Sequence, residues 1–454
     1  MSFPVANTLV IGSPGFGKSF LGASDSDHFQ GSIFVADPHK QSFAQLAFEH
    51  AEGNLWFDRF SNLYPTLRFD FLKPSNEKHP DDQRTENYSE AQLYMDVLTR
   101  RRGGDVTSTP LIEEWLQALL MLHLCQTRRK SLRLLPFGFK PGTKEFASLI
   151  RDCTDPETKE KFKALEKLTP RSLRAEVGSS ARIVQATFRS PYFLARCDGT
   201  FDIDAFVKCH GKLFVEQGEA KDEDAFTTYI GALNLLFIKY AKNRPTAFPS
   251  IRIYLDEATN AKTAGKNEER AAGETRKNGL SWFVMTQFLN FPGGHDGYFT
   301  NFIRKEIFRV ADYDLARKMA TIVATEFPDD FYTRAAHIQS ITTQNMKLDP
   351  GWRFVTGPHG SNRPQYVPLL ESGLPDWPGL REGKFQEKLE LVYRRTEYQR
   401  REEPTSQAGS KPETPRDLKS PGIFSPAERW KLRKKKPADG SANNENASES
   451  ISEE

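Results

Sequence analysis

Apolar and polar positions follow two different textures along this chain. Up to about residue 75, short apolar runs at Leu9 to Ile11, Ser32 to Ala36 and Leu55 to Phe57 are separated by helix-compatible stretches. Strands covered on both faces read as such runs, so the pattern predicts a parallel sheet with helices on either side. Between about 78 and 205 the runs become long and amphipathic, as in Leu111 to Cys125 and Pro156 to Leu168, and β-rich segments are few. An inserted helical subdomain is the expectation there. Strand and helix alternation then resumes. Strands are predicted at Lys212 to Glu216, Ile251 to Leu255, Leu280 to Thr286, Glu306 to Val310 and Trp352 to Val355, with helices at Thr227 to Asn243 and Asp314 to Thr325. The fold class is therefore α/β with a mainly parallel sheet. Its core is expected over residues 1–77 and 206–372, the helical insertion over 78–205, and a helical extension over 373–399.

Beyond about residue 400 the chain is rich in Pro, Ser, Glu and Lys and poor in aromatics. Such a composition cannot bury enough apolar area to offset chain entropy, so a disordered charged tail is expected over 400–454. It contains a basic patch, Trp430 to Lys436, followed by an acidic end. A solvated tail is the plainer reading and a nucleic-acid or partner-docking segment the sharper one.

Composition narrows the class. At 454 residues with 38% hydrophobic content, the chain is long enough to bury a large core. No run of about 18 apolar residues exists and no apolar leader precedes the first strand, so neither a membrane span nor a secretory signal is expected. Four cysteines, Cys125, Cys153, Cys197 and Cys209, lack metal-ligand spacing, which suits reduced thiols in the cytoplasm. With 63 Lys and Arg against 60 Asp and Glu, the net charge of +3 does not announce nucleic acid, and any DNA contact would rest on local patches.

The candidate chemistry begins at Gly12-Ser13-Pro14-Gly15-Phe16-Gly17-Lys18-Ser19, directly after the first apolar run. This is the GxxxxGK[ST] spacing of a phosphate-binding loop. Backbone N–H groups of Gly15, Phe16, Gly17 and Lys18 can converge because glycine tolerates the tight turn, and the helix that follows adds its positive end. Lys18 would reach the β- and γ-phosphates, and the Ser19 hydroxyl would fill one Mg²⁺ position. An accidental glycine turn would lack the strand before it and the helix-compatible Phe20 to Ala23 after it.

A second element decides between binding and hydrolysis. The apolar run Ile251 to Leu255 ends in Asp256-Glu257, as a Walker B strand does. Asp256 would complete the Mg²⁺ shell and Glu257 would polarise the attacking water. An ordinary strand with a polar end is the plainer alternative. A third run, Leu280 to Thr286, finishes in Gln287, which could sense the γ-phosphate and the water. Arg276 stands on the loop entering that run, where its guanidinium could reach a neighbouring subunit's nucleotide or simply form a surface salt bridge. The loop Pro292 to Gly297 carries His295, which reads as a turn residue.

Taken in order, these elements resemble the HerA/FtsK superfamily of P-loop pumping ATPases, and most nearly the soluble motor portion of the conjugative coupling proteins of type IV secretion. The resemblance rests on Gly12 to Ser19, Val35-Ala36-Asp37-Pro38-His39, Leu255 to Asn260, Thr275 to Leu280 and Thr286-Gln287, and covers roughly residues 5 to 370. It implies a RecA-like core in a hexameric ring, with ATP and Mg²⁺ between subunits and DNA in the channel. By position, Lys18 and Ser19 match the phosphate and metal ligands, Asp256 the Walker B acid, Glu257 the base, Gln287 the sensor and Arg276 the trans-acting finger. Asp37 matches a further acid. Two departures matter. Coupling proteins usually carry N-terminal membrane helices, whereas here the phosphate-loop strand begins within the first dozen residues; and His39-Lys40 replaces the small residue often found after Asp-Pro. The expectation is a DNA translocase of conjugation, with a relaxase or secretion components as partners. A phage packaging or repair motor, or a nucleotide-binding adaptor, stands as the alternative.

Overall fold

The computed structural model describes residues 6–39, 43–63, 65, 67–72, 79–100, 110–199, 201–244, 246–259, 261–288, 300–323, 331–349, 352–356, 361–366 and 385–393. The 400–454 tail, its basic patch and the His295 loop lie outside them.

Among the described residues, nine strands form one sheet: β1 (Thr8–Ile11), β2 (Ser32–Asp37), β3 (Leu55–Arg59), β4 (Lys212–Glu216), β5 (Ile251–Leu255), β6 (Leu280–Thr286), β7 (Arg304–Ile307), β8 (Trp352–Thr356) and β9 (Ser361–Tyr366). Their spatial order is β3-β4-β2-β5-β6-β1-β7-β8-β9. Every pairing from β3 to β7 is parallel, while β8 runs antiparallel to both β7 and β9.

The helices used below are α1 (Lys18–His28), α2 (Phe43–His50), α3 (Pro80–Thr99), α4 (Pro110–Leu124) and α5 (Glu223–Asn243). A last one, α6, covers residues 385–393.

Period-two alternation in the central strands explains why the sheet needs two covers. Leu9, Ile11, Phe34, Ala36, Trp282 and Val284 face one buried cluster. Val10, Ile33, Val35, Tyr254, Phe283 and Met285 face the other, together with Phe43, Phe48 and Phe385 of α2 and α6. The first cluster continues without a break into the helical stretch between β3 and β4, through Tyr94 and Val97 of α3 and Trp115, Leu116 and Leu119 of α4. Helix α6 is fixed in its first turn by Lys388, whose ammonium donates to the carbonyls of Phe48, Glu49 and Ala51 where α2 runs out.

Several boundaries depart from the sequence pattern. Helix α5 begins at Glu223 rather than Thr227, because Glu223 and Asp224 suit the positive first turn of a helix. Strand β7 occupies Arg304–Ile307 instead of Glu306 to Val310. Its charged side chains are absorbed by an ion-pair ladder in which Arg304 and Arg353 both meet Glu306. Strand β9 was not expected. It lies at the sheet's edge, where a proline such as Pro364 is tolerated.

Candidate functional site

The carboxyl ends of the central parallel strands place the predicted residues side by side. Along that edge stand Asp37 after β2, Asp256 after β5, Gln287 after β6, the phosphate loop after β1, and Phe308-Arg309 after β7. Ligands of open α/β sheets bind at this edge because helix N-termini and loops converge there.

The loop's glycines serve two different purposes. Gly15 and Gly17 adopt positive φ of 79° and 105°, where a side chain would be strained. Gly12 instead is needed for close approach, since a Cβ there would stand 2.6 Å from Cβ of Phe308. Helix α1 starts at Lys18 with Gly17 as N-cap and no side-chain cap or acid in its first turn, which leaves its amide N–H groups to an anion. The Lys18 ammonium, buried, folds back to donate to the carbonyls of Gly12 at 2.8 Å and Ser13 at 3.1 Å. Burial lowers its pKa, and the nearby Glu257 and Asp256 carboxylates oppose that shift. Ser19 sits half-buried on the first turn of α1, and Phe16 packs half-buried on the core beside Val10. The loop is stapled on both flanks: Gly12 N–H donates to the carbonyl of Thr286 at 3.2 Å, and Ser13 N–H to that of Arg309 at 2.8 Å.

Beside Lys18 lies an excess of acid. Asp256 is buried, and its N–H donates to the Ala36 carbonyl, carrying the β2 pairing one residue past β5. Burial, then repulsion from Asp37 and Glu257, pushes its carboxyl up to about 8, with Lys18 pulling the other way. Asp37 itself accepts the N–H groups of His39 and Ala44, both at 2.8 Å, and so fixes the entry to α2. Glu257 has a φ of 45°, a left-handed conformation that costs a non-glycine residue roughly 1–2 kcal/mol. Its neighbours hold it there. Ala258 N–H donates to the Met285 carbonyl and Ala261 N–H to that of Glu257. The Glu257 carboxylate then accepts the Gln287 side-chain amide at 2.6 Å.

Sequence reasoning missed two supports of this pair. The buried hydroxyls of Thr259 and Thr286 are hydrogen-bonded to each other, and Thr286 donates on to the Phe288 carbonyl at 2.8 Å. Both threonines lie within two residues of a predicted site residue, yet their meeting depends on strand order. Arg309 was missed as well.

Lys18, Ser19, Asp256, Glu257 and Gln287 thus share one edge. Arg276 does not join them. Its turn, Arg276–Asn278, precedes β6 and lies at the opposite edge, a seven-residue strand or roughly 20 Å away. There it lines an open cavity of about 620 Å³ with Lys242, Lys277, Asn278 and Asn301.

The donor set suits Mg²⁺ in a particular way. Among the described residues no three metal-ligating side chains cluster. Mg²⁺ keeps few protein ligands and takes the rest from phosphates and water, so one carboxylate and one hydroxyl, Asp256 and Ser19, are an adequate pair beside a polyphosphate.

No family model matches the chain, and no curated protein does. Solved structures do. The plasmid coupling protein TrwB in complex with ADP and Mg²⁺ aligns with a TM-score of 0.55 and 17% identity, over 80% of this chain and 85% of that one. The bacterial conjugative coupling protein TrwBΔN70, in a trigonal form with sulphate, aligns with a TM-score of 0.56 and 16% identity, over 84% and 88%. The chain has the fold of TrwB. That agrees with the α/β architecture and the mainly parallel sheet read from the apolar runs. Among the described residues, no helix is long and apolar enough to cross a membrane.

Proposed function

We propose that this protein is a Mg²⁺-dependent ATPase that moves DNA, working as a hexameric ring of the conjugative coupling type. The observation that carries the reading is the convergence of Lys18, Asp256 and the hydrogen-bonded Glu257–Gln287 pair on one sheet edge. TrwB, of the same fold, binds ADP and Mg²⁺.

In this reading, α1 and the loop amides bind the nucleotide's phosphates, and Lys18 exchanges the Gly12 and Ser13 carbonyls for phosphate oxygens. Ser19 and Asp256 would hold Mg²⁺, which would neutralise charge on the phosphates. Glu257 takes the proton of the attacking water, and Gln287 holds both the carboxylate and that water in line. Arg276 acts across the ring on the neighbouring copy's nucleotide, which its position at the far edge permits. DNA contacts in the channel would be made to phosphates, without sequence preference. The helical insertion, the extension and the charged tail offer surfaces for a relaxase or secretion partner, in the cytoplasm.

Measuring ATP turnover with and without DNA tests the reading. Turnover that rises with DNA and falls with salt is expected; nucleotide binding without turnover in either condition would reduce the protein to an adaptor.

A further inference from the structure

Segment 308–311, just past β7, forms a wall of the phosphate loop. Phe308 presses on Gly12 so closely that no Cβ fits. The Arg309 carbonyl accepts the Ser13 N–H at 2.8 Å, and Ala311 N–H donates to the Ser13 hydroxyl at 3.0 Å. Arg309 is therefore held to the loop from both sides of its own backbone. Its guanidinium carbon lies 5.4 Å from the centroid of the Phe16 ring, a cation–π contact with a residue of the loop itself. The side chain is exposed, and among the described residues no carboxylate lies within ion-pair range of it. Other arginines of this structure are committed. Arg196 meets Asp58, Arg252 meets Asp25 and Arg353 meets Glu306.

The charge balance of the loop gives that free guanidinium a task. Among the described residues, the Lys18 ammonium is the buried cation that donates to the loop's own carbonyls, and Asp256 and Glu257 already act on it. A nucleoside triphosphate brings several more negative charges to the same place. We infer that Arg309 is a second phosphate-binding cation, reaching from the β7 side to the polyphosphate of a nucleotide on the Gly12–Ser19 loop. This rests on the nucleotide reading given above. It assigns Arg309 to the same subunit's nucleotide, in contrast to Arg276.

Equilibrium titration of ATP, GTP and ADP into the full chain with Mg²⁺ tests it, using wild type, Arg309→Ala, Arg309→Lys and Lys18→Ala. Arg309→Ala should bind ATP and GTP about 10- to 100-fold more weakly, the range of a lost charge-assisted hydrogen bond. Arg309→Lys should recover only part, because a point charge lacks the planar fork. The melting temperature of Arg309→Ala should match wild type, as its side chain is exposed. Unchanged affinity for all three nucleotides would overturn the assignment. So would a loss for ATP with none for GTP, which would place the guanidinium under the base. Wild type that binds no nucleotide, or Lys18→Ala that binds as wild type does, would overturn the underlying site instead.

Discussion

Two buried charge clusters in this molecule are built on opposite terms. Where β3 meets the helical stretch and α5, Arg196 spends all five N–H donors: on both oxygens of Asp58 and on the carbonyls of Arg59, Asn62 and Tyr192. Tyr229 adds a hydrogen bond to Asp58 at 2.6 Å, and Phe60 and Tyr229 lie against the guanidinium. One cation faces one anion and nothing is left over. At the phosphate loop, two acids, Asp256 and Glu257, face a single ammonium whose donors are turned onto backbone carbonyls, and Asp37 adds its repulsion to Asp256. A satisfied cluster holds elements together. An unbalanced one stays in a fold only when something else completes it, and a metal–polyphosphate pair has the matching charge and donor needs.

Five variants would break or sharpen that contrast. The largest effect is expected from Lys18→Ala, which should abolish nucleotide binding by titration while leaving the fold intact. Glu257→Gln should retain binding and lower turnover by about 10²- to 10⁴-fold, the usual contribution of a general base; normal hydrolysis by this variant would place the base elsewhere. Arg196→Met should act in the opposite sense. It strands the buried Asp58 carboxylate and should cost about 3–5 kcal/mol in denaturant unfolding, with nucleotide affinity of the folded protein unchanged. If affinity fell with stability, the two clusters would not be independent.

The fourth test is smaller and concerns pH. Asp256 has a carboxyl raised to about 8 by burial and by its acidic neighbours. Between an unfolded value near 4 and about 8 the folded state holds a proton that the unfolded chain releases, so this group makes stability fall as pH rises through that window. Asp256→Asn should therefore melt higher than wild type at pH 8, with the gap closing toward pH 4. A gap that widened toward acid would show the carboxylate to be stabilised rather than strained. Least of all should Arg276→Ala matter to the dilute chain. Its nucleotide affinity should equal that of wild type, and its effect should appear only as lost turnover in mixtures with active copies. A defect confined to its own site would remove the finger role.

Much of the frame was legible before any coordinates. Strands β4, β5 and β6 occupy the residues that their apolar runs predict, because a strand buried on both faces admits little polar interruption. The edge was harder. Arg304 in β7 and Pro364 in β9 look unlike strand residues; Arg304 is matched by Glu306, which Arg353 of β8 also meets, and Pro364 is tolerated because β9 is an edge strand. The site divides similarly. Gly12 to Ser19 and Asp256-Glu257 are recognisable because their chemistry depends on contiguous spacing, and contiguous residues constrain each other's backbone directly.

What the sequence alone determined is thus a phosphate loop between a buried strand and a helix, and a distant strand ending in two acids. Tertiary structure decided which strands are neighbours. Placing β6 between β5 and β1 brings Gln287 to Glu257, joins Thr259 to Thr286 and leaves Arg276 a strand's length away, and placing β7 on the other side of β1 lays Arg309 against Phe16. The reason is physical. Local spacing sets φ, ψ and helix starts within a few residues, whereas hydrogen bonds between segments 30 to 300 residues apart exist only once burial of both sheet faces has selected the strand order.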